Sequence, residues 1–235
     1  MISFIEKLSV GEVLFFALTI NIILYIFSIG FHRICTLLST SKQIQEEDQH
    51  IEKRDILLSF VTIICNSFIF VIGYFLWSSG FISVSEGSTI STVFIEVIML
   101  IIAMDFSMYI FHRLAHLPFI YRFVHGRHHE HESVNYLSLF VLHPLESLGF
   151  GFIFLLILLI YPFDVLSFSI YLFLNLLWGT IGHLNKEIIT NGIFKFLKSN
   201  FLGLTLFHNQ HHLYPNCNYG FYTLFWDKLF GTYKK

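Results

Sequence analysis

The chain is short of charge. Asp, Glu, Lys and Arg together make only 13% of its 235 residues, where an ordinary soluble domain carries roughly 25%. A water-soluble globule and a disordered, charge-rich chain are both excluded. Basic excess is also missing: 14 Lys and Arg stand against 16 Asp and Glu, a formal net charge of −2. No positive field exists to draw in phosphate backbones, so a nucleic-acid partner is not expected. Cysteine is scarce. Cys35, Cys65 and Cys217 lie far apart without CxxC spacing, which argues against a disulfide framework or a thiolate zinc finger. They read as reduced, packed thiols. No internal repeat or low-complexity tract interrupts the chain.

Apolar residues fill the space that charge leaves. They make up 55% of the sequence, with 18% aromatic residues and 29 Phe, and the mean hydropathy is +0.68. This is the composition of an integral membrane protein. A spanning helix needs about 20 mostly apolar residues. Residues 13–31 and 56–77 are uncharged over that length, and 90–111 qualifies despite Glu96 and Asp105. Residues 148–161 and 165–181 are read as a helical hairpin with Pro162 and Asp164 at its tip. No cleavable leader is expected, because the first apolar run is long and follows Glu6 and Glu12. The predicted class is therefore all-α. A single membrane domain, 1–235, forms a helical bundle, and histidine-rich segments 112–146 and 183–235 cap it and hold a dimetal site.

The loops predict an orientation. The 78–89 loop and the hairpin tip carry no Lys or Arg, and only Lys7 falls on their side of the bundle. The other basic residues gather on the opposite side, which the positive-inside rule places in the cytoplasm. The histidines gather there too. A bacterial inner membrane and the endoplasmic reticulum both satisfy this topology. Residues 39–54 read as a polar loop or short helix. Residues 193–207 read as one helix lying at the membrane surface, with Lys195 and Lys198 reaching the headgroups.

Thirteen histidines in so apolar a chain need a chemical reason. Three clusters hold most of them: His112-x3-His116, His125-x2-His128-His129 and His208-x2-His211-His212. Residues at i, i+3 and i+4 share a helix face, so each cluster projects two or three imidazoles together. Neutral imidazole suits iron, zinc, copper and nickel. Eight such groups exceed the needs of one ion and supply three or four nitrogens to each of two. His183 is the expected ninth ligand, because the hairpin returns it to the same side. Asp105, Tyr109 and His112 fall at i, i+4 and i+7 on one stripe. Asp105 is expected either to accept an imidazole N–H, fixing its tautomer, or to pair with Arg113 or a backbone group. His143 and Glu146 form either a helix-starting pair or part of the metal site. His131 is expected off the ligand face, and His32 and His50 are read as ordinary cytosolic residues.

These residues occur in a recognisable order. Asp105-x3-Tyr109-x2-His112-Arg-x2-His116, His125-x2-His128-His129, His143-Pro-x-Glu146 and His208-x2-His211-His212 precede Asn218-Tyr219-Gly220 and Trp226-Asp227-x-Leu229-Phe230-Gly231-Thr232. The pattern resembles the fatty acid hydroxylase / sterol desaturase superfamily from about Asp105 to the C-terminus. The resemblance implies a membrane-bound non-haem di-iron oxygenase that uses dioxygen to hydroxylate or desaturate an unactivated C–H bond of a lipid, such as an acyl chain or sterol. It assigns the eight box histidines as ligands of two Fe ions, with zinc able to replace iron in recombinant protein. It also suggests that Asp227 orients a box histidine. No fused haem-binding domain is visible, so the expected electron donor is a separate cytochrome-b-type or ferredoxin/reductase protein. Three other readings remain: a non-catalytic metal- and lipid-binding membrane protein, a membrane zinc hydrolase, and a metal transporter, which would place its histidines in mid-span along a path rather than at one face.

Overall fold

Ser9 starts the first helix. Its hydroxyl accepts from Glu12 N–H while the Glu12 carboxylate accepts from Ser9 N–H, a reciprocal cap that satisfies two orphan donors. The computed structural model describes residues 8–189 and 192–234, apart from the side chains of residues 193, 195, 198 and 199. Helix α1 runs Val10–Leu38, α2 Lys53–Ser78 and α3 Ile90–Ala115. The hairpin follows as α4, Pro144–Leu158, and α5, Val165–Gly182. Three short helices follow the hairpin: α6 Gly192–Asn200, α7 Thr205–Leu213 and α8 Phe225–Leu229. Among the described residues, four helices (α1, α2, α3 and α5) are long and apolar enough to cross a membrane.

The five long helices close a ring in the order α1, α2, α4, α3, α5 and back to α1. Large apolar side chains cover its outside, among them Phe15, Leu57, Phe94 and Ile102, each more than half exposed. Such a surface is stable against lipid and costly in water. Inside, α4 enters between α2 and α3 on glycines. A Cβ at Gly149 would stand 2.3 Å from the Phe111 ring, and one at Gly151 would stand 2.5 Å from Ile69. Small residues at a helix contact let the backbones approach closely. Polar pairs add links across the ring, including Ser28 with Thr180 at 2.7 Å and Thr62 Oγ1 with the Phe140 carbonyl at 2.9 Å.

The hairpin tip is pinned at the end of the bundle remote from the histidines. Asp164 caps α5 through Leu166 N–H and also accepts from Ser88 N–H. Buried Glu96 of α3 accepts from Asp164 N–H at 2.9 Å and from the Ser167 hydroxyl at 2.6 Å. That explains one carboxylate in an apolar span: a partner offsets its desolvation.

Several expectations need correction. Residues 193–207 are two helices, not one. The chain breaks at Gly203, whose N–H donates to Tyr222 O and whose carbonyl accepts from Trp178 Nε1–H; a Cβ there would meet Phe221 O at 3.0 Å. The side chains of Lys195 and Lys198 lie outside the described residues. Of the two readings for residues 39–54 the loop holds: residues 39–52 are non-helical and tied to Asn185, whose carbonyl and Oδ1 accept from Ile44 and Gln45 N–H, and Lys53 begins α2. His32 is no ordinary solvent-facing residue: it is buried, with Nε2 3.1 Å from the His183 carbonyl. The three cysteines are free.

Candidate metal centre

Four stretches of chain deliver the histidines to one end of the ring. Helix α3 carries His112 and ends with His116 as its C-cap. Pro118 restarts the chain, and a π-turn over Tyr121–His125 leads into the short helix Gly126–His129. π-turns insert one residue into the helical ladder and recur at functional sites; this one sets the phase of the second box. His183 caps α5, and α7 carries the third box.

The nine nitrogens sort into two groups. His112, His116, His125, His129 and His211 form one, and His128, His183, His208 and His212 form the other; within each group the candidate ligand atoms lie within 4.8 Å of one another. The boxes are therefore mixed. His125 with His129, and His208 with His212, are i, i+4 pairs that stay together. The intervening i+3 residues, His128 and His211, each turn to the opposite group. Successive helical residues are rotated by about 100°, so one turn of helix straddles both positions. Ring centroids show the exchange: His211 lies 4.4 Å from His112, and His128 lies 4.6 Å from His212.

Hydrogen bonds fix the ring tautomers. His112 Nδ1 donates to Tyr219 O at 2.9 Å, His211 Nδ1 to Cys217 O at 2.6 Å and His183 Nδ1 to Gly179 O at 2.8 Å. A carbonyl only accepts, so each neutral ring keeps a bare lone pair on Nε2. The carboxylate of Glu146, fully buried on α4, lies 2.7 Å from His125 Nδ1. Burial, reinforced by neighbouring imidazoles, holds these rings neutral. It lowers His129 to about 3 and His183 to about 4, and puts His125, His128, His208, His211 and His212 well below the usual histidine range.

The fit to metal rests on what the inward lone pairs lack. His116 Nε2 and His211 Nε2 are buried with no hydrogen-bond partner. Unpaired buried polar atoms are costly. Within the groups Nε2 atoms face each other: His112 to His125 at 3.0 Å, His183 to His208 at 3.1 Å and His208 to His212 at 3.1 Å. Nitrogens bound at about 2.1 Å and about 90° to one ion stand roughly 3.0 Å apart. A donor set of neutral imidazoles at this spacing fits a divalent transition metal.

The other predicted residues act less directly. Asp105 bonds no imidazole. It accepts from Tyr222 N–H, Thr223 N–H, the Thr223 hydroxyl and Trp226 Nε1–H, so it anchors the C-terminal segment on α3. Backbone donors reach it first because that segment crosses the helix at its level. Tyr109 Oη meets Thr232 Oγ1 and the Arg113 guanidinium. Asp227 accepts from Tyr219 N–H, Gly220 N–H and Thr232 Oγ1; it reaches His112 only through the Tyr219 backbone. His143 caps α4, its ring accepting from Leu145 N–H and its carbonyl from Glu146 N–H at 2.9 Å, so the two meet at the helix start through the His143 backbone. His131 faces away from both groups, bonding Ser138 Oγ and lying 3.3 Å from Asp55.

Sequence reasoning missed the carbonyls of Cys217, Tyr219 and Gly179, since a backbone acceptor leaves no mark in side-chain identity. It also missed Asp55. That fully buried carboxylate of α2 pairs with Arg127, inside the second box. An open groove of about 500 Å³ lies beside His129, lined by the charged Arg54, Arg122, Arg127, Glu130 and Glu132 together with Leu58, Tyr121 and Phe123.

Comparison with known proteins agrees with the geometry. The family model for fatty acid hydroxylase matches residues 97–232, more than half of the chain. A Delta(7)-sterol 5(6)-desaturase of Eremothecium gossypii is 27% identical over 146 residues, 60% of this chain and 38% of that protein. The Aspergillus fumigatus enzyme is 32% identical over 132 residues, 56% of this chain and 35% of its own length. The Saccharomyces cerevisiae enzyme is 28% identical over 151 residues, 64% and 39% respectively. The matched region thus spans less than two fifths of these relatives. No solved structure matches the chain. With nine of its histidines gathered into two groups that could hold a metal ion and a family match spanning those nine, the chain belongs to the fatty acid hydroxylase / sterol desaturase superfamily.

Proposed function

We propose that this protein is a membrane-embedded di-iron oxygenase that hydroxylates or desaturates a lipid C–H bond. The observation that carries the reading is the pair of buried imidazole groups, five nitrogens and four, whose candidate ligand atoms face one another within 4.8 Å, with His116 Nε2 and His211 Nε2 lacking any hydrogen-bond partner. His112, His116, His125, His129 and His211 would hold one iron, and His128, His183, His208 and His212 the other. The irons, when bound, supply dioxygen activation, with electrons from a separate donor.

The chain's own residues do the rest. The carbonyls of Tyr219, Cys217 and Gly179, with Glu146, keep protons on Nδ1 so that Nε2 stays free to ligate. Burial excludes water and holds the rings neutral across the physiological range. The apolar exterior supports lipid partitioning, and the groove beside His129 lies within the size range of ligand pockets, about 300–1,000 Å³. The relatives' name supports desaturation of a sterol-like lipid; the family description supports hydroxylation of an acyl chain. The lysine and arginine distribution supports a cytoplasmic metal end.

The test is turnover of iron-loaded protein on membrane lipids under ¹⁸O₂ with a reductase system. The expected product gains one labelled oxygen or loses two hydrogens, and chelation abolishes it. Product oxygen drawn from water, or full turnover without iron, refutes the proposal and favours a hydrolase.

A further inference from the structure

We infer that Asn218 is a positioning residue whose left-handed backbone aims two carbonyls, Cys217 O and Tyr219 O, at His211 and His112 and thereby sets the lone pairs of the five-histidine group. The inference rests on the proposed metal-binding role of those histidines. Asn218 has φ +61°, the only positive φ outside glycine among the described residues. Asparagine tolerates this region better than other side chains with a Cβ. The residue is fully buried. Its N–H donates to Thr232 O, its Oδ1 accepts from Lys234 N–H at 2.7 Å, and its Nδ2 donates to Lys234 O at 3.0 Å.

The conformation matters because of spacing. In an extended strand, carbonyls two residues apart are separated by roughly 6.6 Å, twice the strand rise. The rings they serve here have centroids only 4.4 Å apart, one on α3 and one on α7. A left-handed residue between them contracts the backbone so that both acceptors reach. The following residues hold the turn in place. Asp227 accepts from Tyr219 and Gly220 N–H, and a Cβ at Gly220 would stand 2.7 Å from the Asp227 carboxylate. Asn, Tyr and Gly thus each have a distinct job: the turn, the carbonyl and the close approach. Among the bonds described for the four-histidine group, none comes from this segment; its one carbonyl partner is Gly179. Asn218 should therefore act on one metal position and not the other.

The experiment follows chelator-driven iron release from full-length, Fe(II)-loaded protein in detergent, for the wild type, Asn218→Val and Asn218→Gly. Valine is β-branched and disfavours positive φ; glycine keeps it. In Asn218→Val, one of two irons should be held about 10–100-fold more weakly, with the other unchanged. Asn218→Gly should stay within a few-fold of the wild type. If the valine variant does not fold, Asn218→Ala carries the same comparison with a smaller shift. Wild-type retention of both irons in the valine or alanine variant overturns the inference. So does equal weakening of both irons, which marks a merely structural role, or a glycine variant as defective as valine. Wild-type protein that takes up no iron refutes the proposed function instead.

Discussion

Replacing Glu146 by glutamine changes one atom's identity, and the structure says where the consequence falls. Glu146 Oε1 and His125 Nδ1 are 2.7 Å apart, and both residues are about 1% exposed. Burial pushes the Glu146 carboxyl well above its usual range, so its charge develops only beside a metal-ligating His125; glutamine keeps an acceptor in place but cannot supply that charge, which favours the proton on Nδ1. A hydrogen bond to a charged group contributes roughly 1.5–3 kcal/mol and a neutral one roughly 0.5–1.5. The difference, about 1–1.5 kcal/mol, is near tenfold in an equilibrium constant. Glu146→Gln should therefore weaken iron in the five-histidine group about tenfold. Glu146→Ala, which removes the acceptor altogether, should reach the upper part of the 10–100-fold range seen for such partners. Chelator competition on purified protein measures both. Glu96→Gln is the matched control: a buried carboxylate at the far end of the bundle, bonded to Asp164 N–H and Ser167. It should lower the melting temperature and leave iron affinity unchanged. Unaltered iron binding in Glu146→Gln, or equal loss in Glu96→Gln, would refute the reasoning.

Other consequences can be measured as stability. Gly149→Ala and Gly151→Ala place a methyl 2.3 Å from Phe111 and 2.5 Å from Ile69; each should cost about 1–3 kcal/mol by overpacking, read as a lower melting temperature in detergent. Asp105→Asn puts an amide N–H₂ where donors already converge from Tyr222, Thr223 and Trp226. It should destabilise by roughly 1–3 kcal/mol and expose the C-terminal segment to protease, and unchanged cleavage would count against that anchoring role. Asp55→Asn removes the buried partner of Arg127; a loss of roughly 1.5–3 kcal/mol is expected, with Arg127→Ala adding little to the double variant.

The helical membrane class and the identity of the nine clustered histidines were legible in the sequence because both are local signals. Apolar runs long enough for a bilayer and i, i+3, i+4 spacing of imidazoles are written along the chain. Where the signal depended on what faces a residue, it failed. His32 carries no mark of its burial against His183, and the choice between an imidazole and a backbone partner for Asp105, open in the sequence, is settled by the backbone of Tyr222 and Thr223 crossing it. The break at Gly203 is set by Trp178 and Tyr222, both distant in sequence.

By itself, then, the sequence determined that this is a helical membrane protein with an excess of imidazole at one end. Only the tertiary structure decided that His128 and His211 leave their own boxes for the opposite group, and that Cys217, Tyr219 and Gly179 carbonyls set ring protonation. The reason is physical. Helical period is a property of one segment, whereas the partition of ligands between two centres depends on how separate helices are rotated against each other.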